Sequence, residues 1–114
     1  DYEKLASRNV TSEDSTTIRA RIITARVRQL ERFRRYGSAI CYNSEMNATD
    51  LEKMVQMDDS ARDLLKVSAE KFELSGRAFH RIIKVAQTIA DLAGEDTIKK
   101  DFILEALQYR QKLV

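Results

Sequence analysis

Ser75, Gly76 and Arg77 open a stretch, LSGRAFHRIIKVAQTIADLAG from Leu74 to Gly94, in which residue type and position do not follow from packing alone. Phe79, Ile82, Ile83, Ala86, Ile89, Ala90 and Ala93 recur at steps of three and four, the pattern of a helix with one buried stripe. Arg77, Arg81, Lys84, Thr88 and Asp91 project to the opposite side. Ser75 is placed to cap the helix, its hydroxyl accepting from an unpaired backbone N–H of the first turn. Gly94 suits the left-handed residue that ends it. Arg77 then falls in the first turn, where the helix macrodipole is positive and a cation costs about 0.3–1 kcal/mol. A helix start with unpaired N–H groups and an added guanidinium suits a phosphate or carboxylate. The competing reading is a solvated arginine paired with a nearby acid.

A second cationic feature lies near the other end. Between Ser15 and Tyr36 there are seven arginines against the single acid Glu31, a local charge of +6 in a chain whose net charge is +2. Arg21, Arg28, Arg32 and Arg35 share one side of a helix, and a basic segment on a slightly acidic body points to an intermolecular or interdomain contact. Phosphate-backbone contact is one use of such a stripe; a solvated face, or one docked on an acidic neighbouring domain, is the other. No base-reading motif and no interleaved aromatics accompany it, so sequence-specific DNA recognition is not indicated. Arg19 and Arg26 fall inside the apolar arc of the same helix and need an acidic or carbonyl partner there.

Other chemistry is excluded by residue type. His80 is the single histidine and Cys41 the single cysteine, which rules out a His-based metal cluster and an internal disulfide and argues against zinc and redox chemistry. No metal site is expected. There is no GxxxxGK[ST] phosphate loop. Asp58, Asp59 and Asp63 are explained by helix-start electrostatics rather than by paired-carboxylate catalysis. The chain by itself is expected to be no enzyme.

The elements that position these groups are helical. Proline is absent, and the three glycines, Gly37, Gly76 and Gly94, all fall at candidate helix boundaries. With 33% charged and 7% aromatic residues the composition reads as all-α, a small bundle of four to five helices. Residues 1–14 are polar and aperiodic and read as a flexible linker, leaving 15–114 as one helical domain. The first helix is predicted from Ser15 or Thr16 to about Arg35, with Ile18, Ile22, Ile23, Ala25, Val27, Leu30 and Phe33 as its apolar arc. After an irregular connection, Thr49-Asp50-Leu51-Glu52 matches a capping box. The short helix it opens ends near Gln56. A third helix starts at Asp58 or Asp59, with Ala61, Leu64, Leu65, Ser68 and Phe72 inside. Glu73 and Leu74 alone separate it from the central helix, predicting an αα-hairpin or a sharp corner. The last helix carries Phe102, Ile103, Ala106, Leu107 and Arg110 on one stripe. No apolar run reaches the roughly 20 residues of a membrane span, no signal peptide is seen, and with one cysteine a cytoplasmic setting is expected. Beginning at Asp1 rather than Met, the chain looks like an excised fragment.

SGRAFHRIIKVAQTIADLAG followed by ILEALQYR resembles the C-terminal domain of the magnesium chelatase-like (ComM-like) AAA+ ATPases. IRARIITARVRQLERF resembles that family's arginine-rich helix, YNSEM its Asn-containing connection, and LEKMVQMDDSARDLL its second helical pair. The resemblance covers roughly residues 15 to 110. One position departs: Gln87 stands where the family commonly has arginine. The resemblance implies an all-helical lid packed over a nucleotide that a larger N-terminal α/β core of the same polypeptide holds. It also implies that Arg77, in the family's Ser-x-Arg-Ala pattern, is the sensor-2 arginine acting in catalysis, with Ser75, Gly76, Arg77 and Arg81 as the cofactor-binding positions. ATP with magnesium would belong to the parent protein and none would be bound by this chain alone. The parent would be an ATPase, a homo-oligomeric ring such as a hexamer, and a DNA-processing motor such as a helicase or branch-migration factor. The alternative is a stand-alone helical DNA-binding module using Arg21, Arg28, Arg32 and Arg35.

Overall fold

The computed structural model describes the backbone of residues 2–112 and the side chains of residues 15–110. Five α-helices follow one another: α1 (Tyr2–Arg35), α2 (Ala48–Met54), α3 (Asp59–Lys71), α4 (Gly76–Leu92) and α5 (Lys100–Lys112), with a 3₁₀ turn at Asn43–Glu45 between the first two. The architecture is an all-α bundle with α4 at its centre, packed against α1, α2, α5 and the 3₁₀ turn.

Sequence chemistry explains the helix ends. Ser75 caps α4, its Oγ accepting from the Ala78 N–H at 3.1 Å. The Asp58 carboxylate caps α3, accepting from the Ala61 N–H at 2.8 Å. At the far end of α4, Gly94 adopts φ +73°. This lets the Glu95 N–H reach the Ala90 carbonyl at 2.9 Å and the Gly94 N–H reach that of Asp91 at 3.2 Å, satisfying two orphan carbonyls. α3 ends in the same bonding pattern, with the Leu74 N–H on the Ala69 carbonyl at 3.0 Å, although the left-handed residue there is Glu73 at φ +50°.

Five expectations change. α1 begins at Tyr2, so helix runs through residues where a linker and a start at Ser15 are expected. No glycine or proline interrupts residues 2–35, and lengthening a helix is far easier than nucleating one. The cap of α2 is Asn47, not Thr49. Asn47 Oδ1 accepts from the Asp50 N–H at 2.8 Å and the Asp50 carboxylate accepts back from the Asn47 N–H at 3.0 Å, a capping box set two residues earlier. Third, Phe72 leaves the inner face of α3: of the two arrangements expected for α3 and α4 the chain takes the sharp corner, and α3 packs mainly on α5. Phe72 consequently lies at the surface, 39% exposed, with the Lys71 ammonium 5.7 Å and the Arg110 guanidinium 5.9 Å from its ring centroid.

The fourth change is in α4 itself. Asp91, on the polar side of the wheel, is 1% exposed, as is Gln87. A wheel sees one helix, whereas α1 and the 3₁₀ turn cover this half of the polar face. The fifth is in α1: Ala25 and Phe33 are buried and Leu30 is half-buried, but Ile18, Ile22, Ile23 and Val27 stay exposed because no described element covers them.

The core is continuous, drawing Phe33 from α1, Met46 from the connection, Leu51 and Met54 from α2, and Ala61 and Leu65 from α3. Ile82, Ile83, Ala86 and Ala90 come from α4, with Ile103, Ala106 and Leu107 from α5. Ile98, fully buried, plugs the end of the bundle. It is fixed by a short parallel bridge: its N–H donates to the Gln56 carbonyl at 2.8 Å and its carbonyl accepts from the Asp58 N–H at 3.1 Å.

Candidate functional site

The N-terminal half of α4 is the part of its polar face left open. The first turn carries no acid to match the positive helix end, yet Arg77 and Arg81 both sit there, exposed and without an ion pair among the described residues. Beside them runs a groove between α4 and α5, about 280 Å³, lined by Ser75, Arg77, Ala78, Arg81, Ile82 and Val85 on one side and Ala106, Tyr109 and Arg110 on the other. Aliphatic side chains, one tyrosine and three arginines line it, and no acidic residue does. Such a groove attracts anions with an apolar part.

Tyr109 and Arg110 belong to this site and are absent from the sequence-derived set of Ser75, Gly76, Arg77 and Arg81. The last-helix periodicity places Arg110 on the buried stripe; it is half-buried, lines the groove, and holds its guanidinium 5.9 Å from the Phe72 ring centroid. Tyr109 is 46% exposed, its hydroxyl 3.5 Å from Glu105 Oε1. The signal available in sequence is the adjacent Tyr-Arg pair near the end of a helix following Leu107.

The arginine face of α1 is distributed differently. Arg32 reaches α4 and donates from both terminal nitrogens to the Asp91 carboxylate, Nη1 to Oδ2 at 3.3 Å and Nη2 to Oδ1. The same carboxylate accepts from Asn43 Nδ2 and Gln87 Nε2, each at 3.0 Å, and Asn43 also donates to Thr88 Oγ1 at 3.1 Å. Arg28 donates to Asp96 Oδ1 at 2.5 Å and to the Gly94 carbonyl at 2.9 Å, capping the C-terminal end of α4. Arg21 and Arg35 remain exposed. Arg26 donates to the Cys41 carbonyl at 2.7 Å and to Gln29 Oε1 at 2.8 Å, with its guanidinium 4.3 Å from the Tyr42 ring centroid. This is the carbonyl partner its place in the apolar arc demands. Arg19 is exposed. His80 is half-buried, edge-on to Phe79 at 5.9 Å between ring centroids. No group of three or more His, Cys, Asp or Glu side chains suited to a metal ion occurs among the described residues.

The fold class is that of a small all-α bundle with a capped, cation-bearing helix start beside a groove. Residues 12–110 match the family described as magnesium chelatase, subunit ChlI C-terminal, and the chain belongs to that family. It is 37% identical over 98 residues to the competence protein ComM of Haemophilus influenzae, covering 86% of this chain and 18% of that protein. It is 30% identical over 101 residues to YifB of Escherichia coli, covering 89% and 19% respectively. A third relative, Mb2921c of Mycobacterium bovis, is 29% identical over 99 residues, covering 87% and 19%. The chain thus spans about a fifth of the length of these relatives. No solved structure matches it significantly. The fold and the family together make this chain the C-terminal helical lid of a magnesium chelatase-like AAA+ protein.

Proposed function

We propose that the chain serves as a nucleotide-sensing lid, with Arg77 as the sensor-2 arginine of an AAA+ ATPase. The observation that carries this reading is Arg77 itself. It is an exposed cation at a positive helix end, without an acidic partner among the described residues, lining an acid-poor groove. The residues fit the phosphates of ATP: guanidinium groups at Arg77, Arg81 and Arg110 supply charge-assisted donors, and the Ser75-capped helix start adds backbone N–H groups. They do not fit magnesium, which prefers carboxylate and water oxygens; the metal and the phosphate loop would lie on an N-terminal core of the longer polypeptide. When bound, ATP supplies the phosphoryl group on which charge develops. Arg77 stabilises and orients that charge from the lid side. Because Arg77 rides on the central helix, holding or releasing a terminal phosphate shifts the lid as a body.

In the same reading the parent assembles as a homo-oligomeric ring, works in the cytoplasm and handles DNA, in keeping with the relative named a competence protein. No helix among the described residues is long and apolar enough to cross a membrane. The reading of a self-contained DNA-binding module is weakened by geometry: of its four stripe arginines, Arg28 and Arg32 are engaged by Asp96 and Asp91 within the chain.

The test is Arg77→Ala in the longer polypeptide. ATP turnover and nucleotide-dependent assembly fall while the helical content of the lid is unchanged; if both are retained, the sensor assignment is wrong. For the 114-residue chain alone, negligible ATP affinity is expected. Salt-sensitive DNA binding by that chain, lost on charge reversal at Arg21 and Arg35, would favour the DNA-module reading instead.

A further inference from the structure

The residues that line the groove between α4 and α5 change in type along α4. Arg77 and Arg81 come first, followed by Ile82 and Val85, while Ala106 and Tyr109 line it from α5. At a rise of 1.5 Å per residue, Val85 lies about 12 Å along the helix axis from Arg77. The next cation of α4, Lys84, is not part of the lining and donates instead to the Ser44 carbonyl at 3.1 Å. The groove therefore passes from a cationic to an apolar lining in the direction of the helix. Tyr109 is exposed, and among the described residues no cation and no second aromatic ring packs on it. Its hydroxyl turns to Glu105 Oε1 of its own helix. Tyr42, by contrast, is covered by the Arg26 guanidinium.

We infer that Tyr109, with Ile82, Val85 and Ala106, contacts the base of the nucleotide whose terminal phosphate Arg77 senses. This rests on the phosphate reading of Arg77 and extends it to the other end of the same ligand. A nucleoside triphosphate joins in one molecule the two characters that the groove shows, an anionic end and a planar ring with apolar faces. The groove volume of about 280 Å³ falls just under the range of complete small-molecule sites, about 300–1,000 Å³. It suits one part of a ligand whose remainder rests on the N-terminal core. Every base offers a π face to an aromatic ring. Ile82, Val85 and Ala106 carry no side-chain donor or acceptor, so they read no base edge. The contact therefore separates a nucleotide from a bare polyphosphate without choosing between adenine and guanine. A bare polyphosphate would use the arginines and leave the apolar lining wet.

The test is calorimetric titration of the longer polypeptide with three magnesium-loaded probes: the β,γ-imido analogues of ATP and GTP, and inorganic tripolyphosphate. Tyr109→Ala weakens binding of both nucleotides by about fivefold or more and leaves tripolyphosphate binding unchanged. Tyr109→Gln, which keeps a good helix former at the position, does the same, and Tyr109→Phe binds all three probes as the parent does. Arg77→Ala weakens all three alike. Unchanged nucleotide affinity in Tyr109→Ala and Tyr109→Gln, or an equal loss for tripolyphosphate, overturns the inference and leaves the sensor reading standing. A loss confined to one of the two nucleotides overturns it too, because a ring face common to both bases cannot choose between them. No effect of Arg77→Ala on any probe overturns the sensor reading, and this inference with it.

Discussion

Arg32 on α1 and Asp91 on α4 meet in a two-pronged ion pair whose side chains are 11% and 0% exposed. Asn43 and Gln87 supply the remaining donors to the carboxylate, and no buried side-chain nitrogen or oxygen among the described residues lacks a partner. A buried pair of this sort costs heavily in desolvation, and its net contribution to stability is small while both partners are present. Its effect is positional: it allows one arrangement of α1 on α4.

Removing one partner exposes that cost. Asp91→Ala strands a guanidinium and two amide donors in the interior and lowers stability by about 3–5 kcal/mol, read as a drop in urea midpoint. Replacing both, Arg32→Leu with Asp91→Leu, recovers a large part of the loss. Equal destabilisation by the single and double variants would show that the charge pair is not what the site depends on.

Asp96 makes the contrasting case. Its side chain is 86% exposed against Arg28, and exposed pairs contribute about 0–1 kcal/mol and are screened by salt. Asp96→Ala therefore shifts the denaturation midpoint marginally, and the shift vanishes in high salt. Arg28 keeps its bond to the Gly94 carbonyl.

Two helix ends test backbone strain without side-chain packing. An added Cβ at Gly94 meets nothing within 4 Å, but its φ of +73° is left-handed. Gly94→Ala is expected to cost about 1–2 kcal/mol from backbone alone. Glu73, at φ +50°, already bears that strain, so Glu73→Gly leaves stability equal or raises it by up to about 1 kcal/mol. Thermal melts should place Gly94→Ala below the parent chain and Glu73→Gly level with it or above.

At the start of α4, Ser75→Ala removes the bond to the Ala78 N–H and costs about 1 kcal/mol. Arg77→Glu does the reverse, placing a carboxylate at the positive helix end and stabilising the chain by about 0.3–1 kcal/mol. A more stable lid that no longer supports ATP turnover would separate the role of Arg77 from any structural one. Loss of stability in Arg77→Glu would point to a folding role instead.

The helix starts at Ser75 and Asp58 and the stop at Gly94 were legible in the sequence because caps are local: one side chain and one or two backbone groups decide them. The α2 start was less so, since Asn47–Asp50 and Thr49–Glu52 both have capping-box spacing and three-residue arithmetic cannot rank them. Asp91 was illegible for a different reason. Its burial is created by α1 and Asn43, 59 and 48 residues away in sequence, and no single-helix pattern reports on that. The same holds for Ile18 and Ile22, apolar in pattern yet beyond the reach of the bundle, and for Tyr109 and Arg110, joined to Arg77 only by the approach of α5 to α4. Arg77 stands out in the sequence as a cation in a positive first turn; the structure adds the groove beside it.

The parallel bridge between Met57 and Ile98 ties the loop between α2 and α3 to the loop between α4 and α5. Their amides at Ile98 and Asp58 should resist deuterium uptake as well as helical ones do. Laced at that seam by two backbone bonds, the stretch after α4 and the start of α3 are held at one spacing.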